Sequence, residues 1–253
     1  MNIRMESKHL GDIVVLVPEA FEDERGFFME TFRAAQFKEL GLPYEFVQDN
    51  HSRSKKGVLR GLHFQWDTPM GKLMRVTYGR AFLVAVDIRK GSPTLGKWFG
   101  LEVSAENKKQ VWAPAGFARG LCVLSDYAEV QYKCTGLYNS KGESAIRWND
   151  TEIGIDWPPG DYILSEKDRN SQTLAQWIAS PLSDNLKSCF EKPSDFNCVS
   201  LTLPAPAGFE IAPCVYQNLV NKPINRVFHG SAPHPLPGSG YDFPKGTGRI
   251  PVQ

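Results

Sequence analysis

The stretch GVLRGLHFQ (57–65), followed closely by KLMRVTYG (72–79) and AFLVAVDI (81–88), decides the fold. Each is a run of strand length, rich in Val, Leu, Phe and Tyr, with no 3.6-residue apolar period. Working outward, the same texture recurs in IVVLV (13–17), FFMETF (27–32) and YEFVQ (44–48) before it. It continues in WFGLEVS (98–104), QVWAP (110–114), GLCVLS (120–125), AEVQYKC (128–134) and AIRW (145–148) after it. Short strands at regular spacing, without helices between them, predict an all-β protein: an antiparallel sandwich, jelly roll or barrel. Two segments depart from this. RAAQFKELG (33–41) places Phe37 and Leu40 on one helical face and stops at Gly41. TLAQWIASPL (173–182) reads as a second short helix after a strand-like YILS (162–165). Both helices are expected on the outside of the β core.

The charge balance excludes several partners. With 29 basic and 28 acidic residues the 253-residue chain carries a net charge of +1. No global field attracts nucleic acid or a membrane surface, so any anion site is local. No apolar run approaches the roughly 18 residues of a membrane span. The five cysteines (Cys122, Cys134, Cys189, Cys198, Cys214) form no CxxC pair, and MNIRMESKHLGD lacks the apolar run of a secretory signal. A soluble, cytoplasmic protein with free thiols is expected. Nine of the eighteen prolines lie between 204 and 251, and PHPLPGSGYDFPKG (233–246) sustains neither helix nor central strand. The chain therefore divides into a β domain over 1–188 and a Pro/Gly-rich C-terminal extension over 189–253. The extension still carries Phe209, Ile211, Tyr216 and Phe228, so part of it is expected to dock on the core.

The chemistry-bearing residues sit in the deciding stretch. Gly57, five residues, His63 and then Gly79 match the spacing of a first cupin motif, and Pro114, Gly116 and Arg119 in APAGFARG (113–120) match a second. A metal-binding cupin needs histidines where this chain has His63, Gln65 and Arg119. Arginine stays protonated and cannot ligate, so neither metal nor cofactor is expected. A lone histidine on a strand is more often a satisfied core residue than a catalyst. Arg60 and His63 also fall on opposite faces of a regular strand, unless a bulge near Gly61 re-aims them.

Context changes this reading. DERGFFMETF (23–32), FVQDNHSRSKKGVLRGLHFQ (46–65), VDIRKGSPTLGKW (86–98), APAGFARGLCVLSD (113–126), IRWND (146–150) and LSEKD (164–168) run in order along the chain. Together they resemble the dTDP-4-dehydrorhamnose 3,5-epimerase family over about residues 10–185. The resemblance implies a cupin-type jelly roll that binds a dTDP-linked 4-keto-6-deoxy sugar. It makes His63 the base, Asp168 the carboxylate behind it, Lys72 the cation beside the enolate and Tyr132 the acid on the opposite face. Tyr138 becomes a second pocket tyrosine. Arg25, Phe27, Glu30, Gln48, Asn50 and Arg60 match positions that contact the nucleotide and diphosphate. In that family the Arg25–Glu30 segment comes from the neighbouring subunit, which implies a homodimer with an exchanged N-terminal strand. The chemistry suits these residue types: inversion next to a ketone needs a base, enolate stabilisation and a donor on the other face. One departure stands out, because Arg119 occupies the position where the family usually has histidine. This substitution repositions the sugar, adds a contact to the diphosphate or the enolate, or abolishes one epimerisation. Rival readings are a single-carbon epimerase, a ketoisomerase and a non-catalytic sugar-nucleotide-binding cupin.

Overall fold

The computed structural model describes residues 2–187 and Cys189. The expected extension over 189–253 therefore lies, Cys189 apart, outside the described residues. The chain runs through β1 (Ile3–His9), β2 (Ile13–Pro18), the short pair β3 (Ala20–Asp23) and β4 (Gly26–Met29), and helix α1 (Ala34–Glu39). It continues through β5 (Gln48–Lys55), β6 (Leu59–Gln65), β7 (Lys72–Tyr78), β8 (Arg80–Asp87), β9 (Trp98–Ser104) and β10 (Gln110–Ala113). Then come β11 (Phe117–Val123), β12 (Tyr127–Cys134), β13 (Glu143–Ala145), α2 (Glu166–Arg169) and α3 (Leu174–Ala179). One antiparallel sheet has the order β1-β2-β10-β7-β12-β5, the other β13-β6-β11-β8-β9, and β3–β4 form a separate hairpin. This is an antiparallel sandwich, one of the architectures that the strand spacing allows, and agrees with the jelly roll that the resemblance implies.

The apolar strings are continuous because both faces of the central strands are covered. In β8, Ala81, Leu83 and Ala85 face the core between the sheets, where they join Met74, Val76, Val111, Phe117 and Val130. Val84 and Val86 point the other way, into a layer closed by Phe64, Trp157 and Trp177 of α3. A third cluster packs Phe37 of α1 on Leu16, Leu73 and Trp112, on the six-stranded sheet. Thr173 and Gln176 form a reciprocal capping box that starts α3. VDIRKGSPT builds no part of the cleft described below. Asp87, fully buried, takes two hydrogen bonds from the Arg89 side chain and one each from Ser92 and Thr94, and Arg89 also reaches Asp12 at 2.7 Å. Burying these charges is tolerable because each is paired.

Three strand readings are corrected. YILS contributes a single parallel bridge, Ile163 to Val58, because Pro158 and Pro159 precede it and Ser165 already caps α2. YEFVQ yields only Gln48 to β5; its Phe46 instead joins an edge-to-face cluster with Phe32, Phe37 and Trp112. AIRW leaves the ladder after Ala145, with β13 beginning two residues earlier at Glu143. The bulge near Gly61 is present: Arg119 pairs with His63 and Leu121 with Arg60, so β6 fits one extra residue against β11. Gly61 has φ +126°, and a Cβ there would meet Gly120 Cα at 2.6 Å and Arg119 O at 2.9 Å. Only glycine fits this turn of the strand.

Candidate active site

Register places the chemistry before any side-chain contact is considered. On the five-stranded sheet, Gln65 lies opposite Glu143, while His63 lies between Ala145 and Arg119. On the six-stranded sheet, Cys134 lies between Gln48 and Lys72, and Tyr132 lies between Asn50 and Met74. Residues in such rows share a face. The cleft at this end of the sandwich is lined by Gln48, Asn50, Lys72 and Tyr132 from one sheet and by His63, Gln65 and Glu143 from the other. Met70 and Tyr138 line it from the connecting loops.

His63 Nε2 lies 2.6 Å from Asp168 Oδ1, although 105 residues separate them. Asp168 is 3% exposed and sits on α2, whose cap Ser165 donates its hydroxyl to Oδ2 at 2.7 Å. Burial alone raises a carboxyl pKa, but the hydrogen bonds from His63 and Ser165 outweigh it and the net shift is downward. An ionised Asp168 accepts the Nε2 proton, which assigns the tautomer and leaves Nδ1 as the basic nitrogen of a ring that lines the cleft. Lys72 Nζ stands 4.8 Å from the Tyr132 ring centroid. Burial, with the nearby Arg119 charge second, depresses the Lys72 pKa from 10.5 to about 8. Burial raises that of Tyr132, keeping the phenol protonated as a donor must be.

Arg119 is only 5% exposed and is absent from the cleft wall. Its Nη1 donates to the carbonyls of Met70, Ala113 and Pro114, while Nε has no hydrogen-bond partner among the described residues. Burial lowers its pKa to about 10, so it is cationic at neutral pH. In this placement the guanidinium is engaged on main-chain oxygens and is not among the residues that line the cleft. Gln65, at the second metal-ligand position of a cupin, donates to Thr68 O and Leu137 O and accepts from Asn139 N. Among the described residues no three His, Cys, Asp or Glu side chains cluster.

The nucleotide-binding candidates divide. Gln48 and Asn50 line the cleft and are bonded to each other at 3.1 Å. Arg60 is outside it, donating to Ser54 on β5, yet near enough for its charge to act on Tyr132. Arg25, Phe27 and Glu30 are not brought to this chain's cleft. They belong to the β3–β4 hairpin and the residues just after it, where Arg25 pairs with Asp23, Glu30 with Arg33, and Phe27, 55% exposed, lies under Lys108. Glu143 and Met70 line the cleft although no motif marks them, and the sequence presents Gln65 only as an absent metal ligand. The one signal for Glu143 was an acidic residue two places before the buried Ala145, hence on the same strand face.

A jelly roll with a carboxylate-backed histidine, a half-buried lysine and a phenol around one cleft fits a cupin-type isomerase. Residues 7–176 match the family model described as dTDP-4-dehydrorhamnose 3,5-epimerase. An enzyme of that name from Shigella flexneri is 55% identical over 163 residues, covering 64% of this chain and 90% of the relative. One from Neisseria gonorrhoeae is 53% identical over 187 residues, 74% of this chain and 57% of the relative. Among solved structures, the dTDP-6-deoxy-D-glucose-3,5-epimerase of Legionella pneumophila, in complex with dTDP-4-keto-L-rhamnose, superposes with a TM-score of 0.67. It is 46% identical, covering 69% of this chain and 94% of that one. The chain belongs to the dTDP-4-dehydrorhamnose 3,5-epimerase family.

Proposed function

We propose that this cleft binds a dTDP-linked 4-keto-6-deoxy-hexose and inverts C3 and C5, with His63 as base and Tyr132 as acid. The observation that carries the reading is His63 on one sheet, backed by Asp168 of α2, with Lys72 and Tyr132 on the sheet opposite. His63 Nδ1 takes the proton α to the ketone, and the C–H electron pair becomes the enolate. The Lys72 ammonium, desolvated and therefore strong as an electrostatic partner, faces the oxygen where that charge collects. The Tyr132 hydroxyl then protonates the carbon from the other face, and proton exchange with solvent resets imidazolium and phenolate. Inversion at both carbons is favoured because the relatives above 50% identity bear the 3,5-epimerase name. Proton NMR of the dTDP-4-keto substrate in deuterated buffer tests this: deuterium should enter at C3 and C5, and His63→Asn should abolish both. Exchange at C3 alone leaves a 3-epimerase, and exchange at neither carbon leaves a binding module.

The same reading makes the enzyme a homodimer in which the β3–β4 hairpin supplies Arg25 to a partner's nucleotide. Phe21, Phe27 and Phe28 are each at least half exposed on that hairpin, and among the described residues Arg25 pairs with Asp23 of its own turn. An exposed hydrophobic surface of this kind fits association. Mixing Arg25→Ala and His63→Asn protomers under subunit exchange should restore activity, since half of the heterodimer's sites are then native. Absence of complementation means that each site is built within one chain.

A further inference from the structure

We propose that Glu143 is a positioning residue, holding the Tyr138 phenol at the mouth of the cleft so that it covers the bound sugar without competing as its proton donor. The inference rests on the reading of Tyr132 as the acid. Three elements converge on the Tyr138 loop. Gln48 of β5 accepts from Tyr138 N at 2.9 Å. Gln65 of β6 bridges the same loop, donating to Leu137 O at 3.1 Å and accepting from Asn139 N at 2.8 Å. These bonds fix the backbone but not the ring. The ring is fixed by Glu143 of β13, whose Oε2 accepts the phenol hydrogen at 2.8 Å.

Glu143 is itself held. The same Oε2 accepts from Lys167 Nζ at 2.7 Å, and its side chain is 17% exposed. Burial works against its charge, but the bonds from Lys167 and Tyr138, with the charge of Lys167 and then His63, leave its pKa lowered. Lys72 lies close enough for Glu143 to act on its charge as well. The carboxylate therefore stays ionised and keeps the phenol hydrogen directed at itself. An O–H donating to a carboxylate cannot donate to carbon at the same time. Tyr138 remains 57% exposed, as a lid ring at a substrate entrance must be before substrate arrives. Tyr132 has no such carboxylate partner among the described residues; its ring faces Lys72.

A double-mutant cycle tests this. Tyr138→Phe and Glu143→Gln should each raise KM several-fold with a smaller change in kcat, and the double variant should resemble Tyr138→Phe alone, since neither residue acts without the other. A spectroscopic readout separates positioning from simple loss of packing. Absorbance titration of wild type minus Tyr138→Phe isolates this phenol. The same difference in the Glu143→Gln background should have its midpoint displaced to lower pH, because the carboxylate that raises it is gone. Lys167, the other charged group on Glu143, is unchanged between the two backgrounds. Additive losses in the cycle, or a Tyr138 midpoint unmoved by Glu143→Gln, overturn the proposal. Failure of the Tyr132 assignment shows separately, as inversion at C3 and C5 by Tyr132→Phe at the wild-type rate, since loss of the acid should leave exchange without inversion.

Discussion

Asp168→Asn isolates the charge of the dyad from its geometry. Asparagine is isosteric, and its amide oxygen can still accept from His63 Nε2 while the NH2 turns to Ser165 Oγ, which sits 2.7 Å from the carboxylate. The tautomer survives, and what disappears is the negative charge 2.6 Å from a ring that becomes cationic when it takes the substrate proton. Two charges centred about 4 Å apart attract by about 4 kcal/mol at an effective dielectric constant near 20. The His63 side chain is 29% exposed, so solvent screens part of this and about 3 kcal/mol is the better figure. At about 1.4 kcal/mol per decade the variant should lose about 10²-fold in kcat. The loss should be smaller than that of His63→Asn, which removes the base itself. The assay is the initial rate of deuterium entry at C3, with nucleotide affinity measured in parallel as a control for folding. A rate within threefold of wild type with affinity intact refutes the reasoning, because the carboxylate then does nothing for the imidazolium.

Lys72 gives a pH prediction with a definite sign. Its ammonium form, the one that stabilises an enolate, is the major species only below about 8, so turnover should fall as pH rises through that value. Lys72→Arg, whose charge persists, should push the alkaline limb upward even if its peak rate is lower; an unmoved limb assigns it to another group. Arg119→Met should lower kcat with KM little changed, because the guanidinium stands behind the cleft wall; a raised KM at unchanged kcat restores the diphosphate contact. The same variant should also move the alkaline limb upward, since the Arg119 charge is the second cause of the depressed Lys72 pKa. Thermal denaturation should show Arg119→Met less stable by about 1–3 kcal/mol, as the carbonyls of Met70, Ala113 and Pro114 lose their donor. Equal or greater stability means that burying the charge costs as much as its hydrogen bonds return.

What could be read from the sequence follows the physics of burial. AFLVAVDI is legible because β8 is covered on both faces, so apolar content alone marks it. QDNHSRSK is not legible, although β5 is a full eight-residue strand. It is the edge of its sheet, with residues of one parity at solvent and Gln48 and Asn50 at the cleft, so neither face is apolar. The hydrophobic period that signals a strand is missing where the strand carries the site. His63 and Asp168 are each ordinary in isolation, and nothing in spacing joins residues 105 apart; the family motifs did. Gln65 and Glu143 needed the β6–β13 register, which is set by a pairing between distant segments and leaves no local trace. The motif marks the position of Arg119 but not its depth, because a long side chain on an inward position reaches either the cleft or the wall behind it.

His63 and the mouth of the cleft are tied to the same piece of backbone. α2 has only four residues, far too few to be helical on propensity alone, since nucleating a turn costs more than one or two hydrogen bonds return. Its order must come from the contacts it makes. Ser165 caps it from within, and two consecutive side chains anchor it outward: Lys167 to Glu143 and Asp168 to His63. Neighbouring residues on so short a turn cannot move independently. If Lys167 releases Glu143, the turn loses one of its two outward anchors, and the position of Asp168 behind the base becomes less well defined. Conversely, the imidazolium formed when His63 takes a proton pulls harder on Asp168 and so tightens the turn that holds Glu143 at the mouth. On the proposed mechanism, the hold on Tyr138 and the first proton transfer would reinforce one another, with a coupling no larger than the weaker of the two anchors. That anchor is the Lys167–Glu143 pair, whose lysine is 55% exposed, so its contribution is limited to the order of 1 kcal/mol and should fade at high salt.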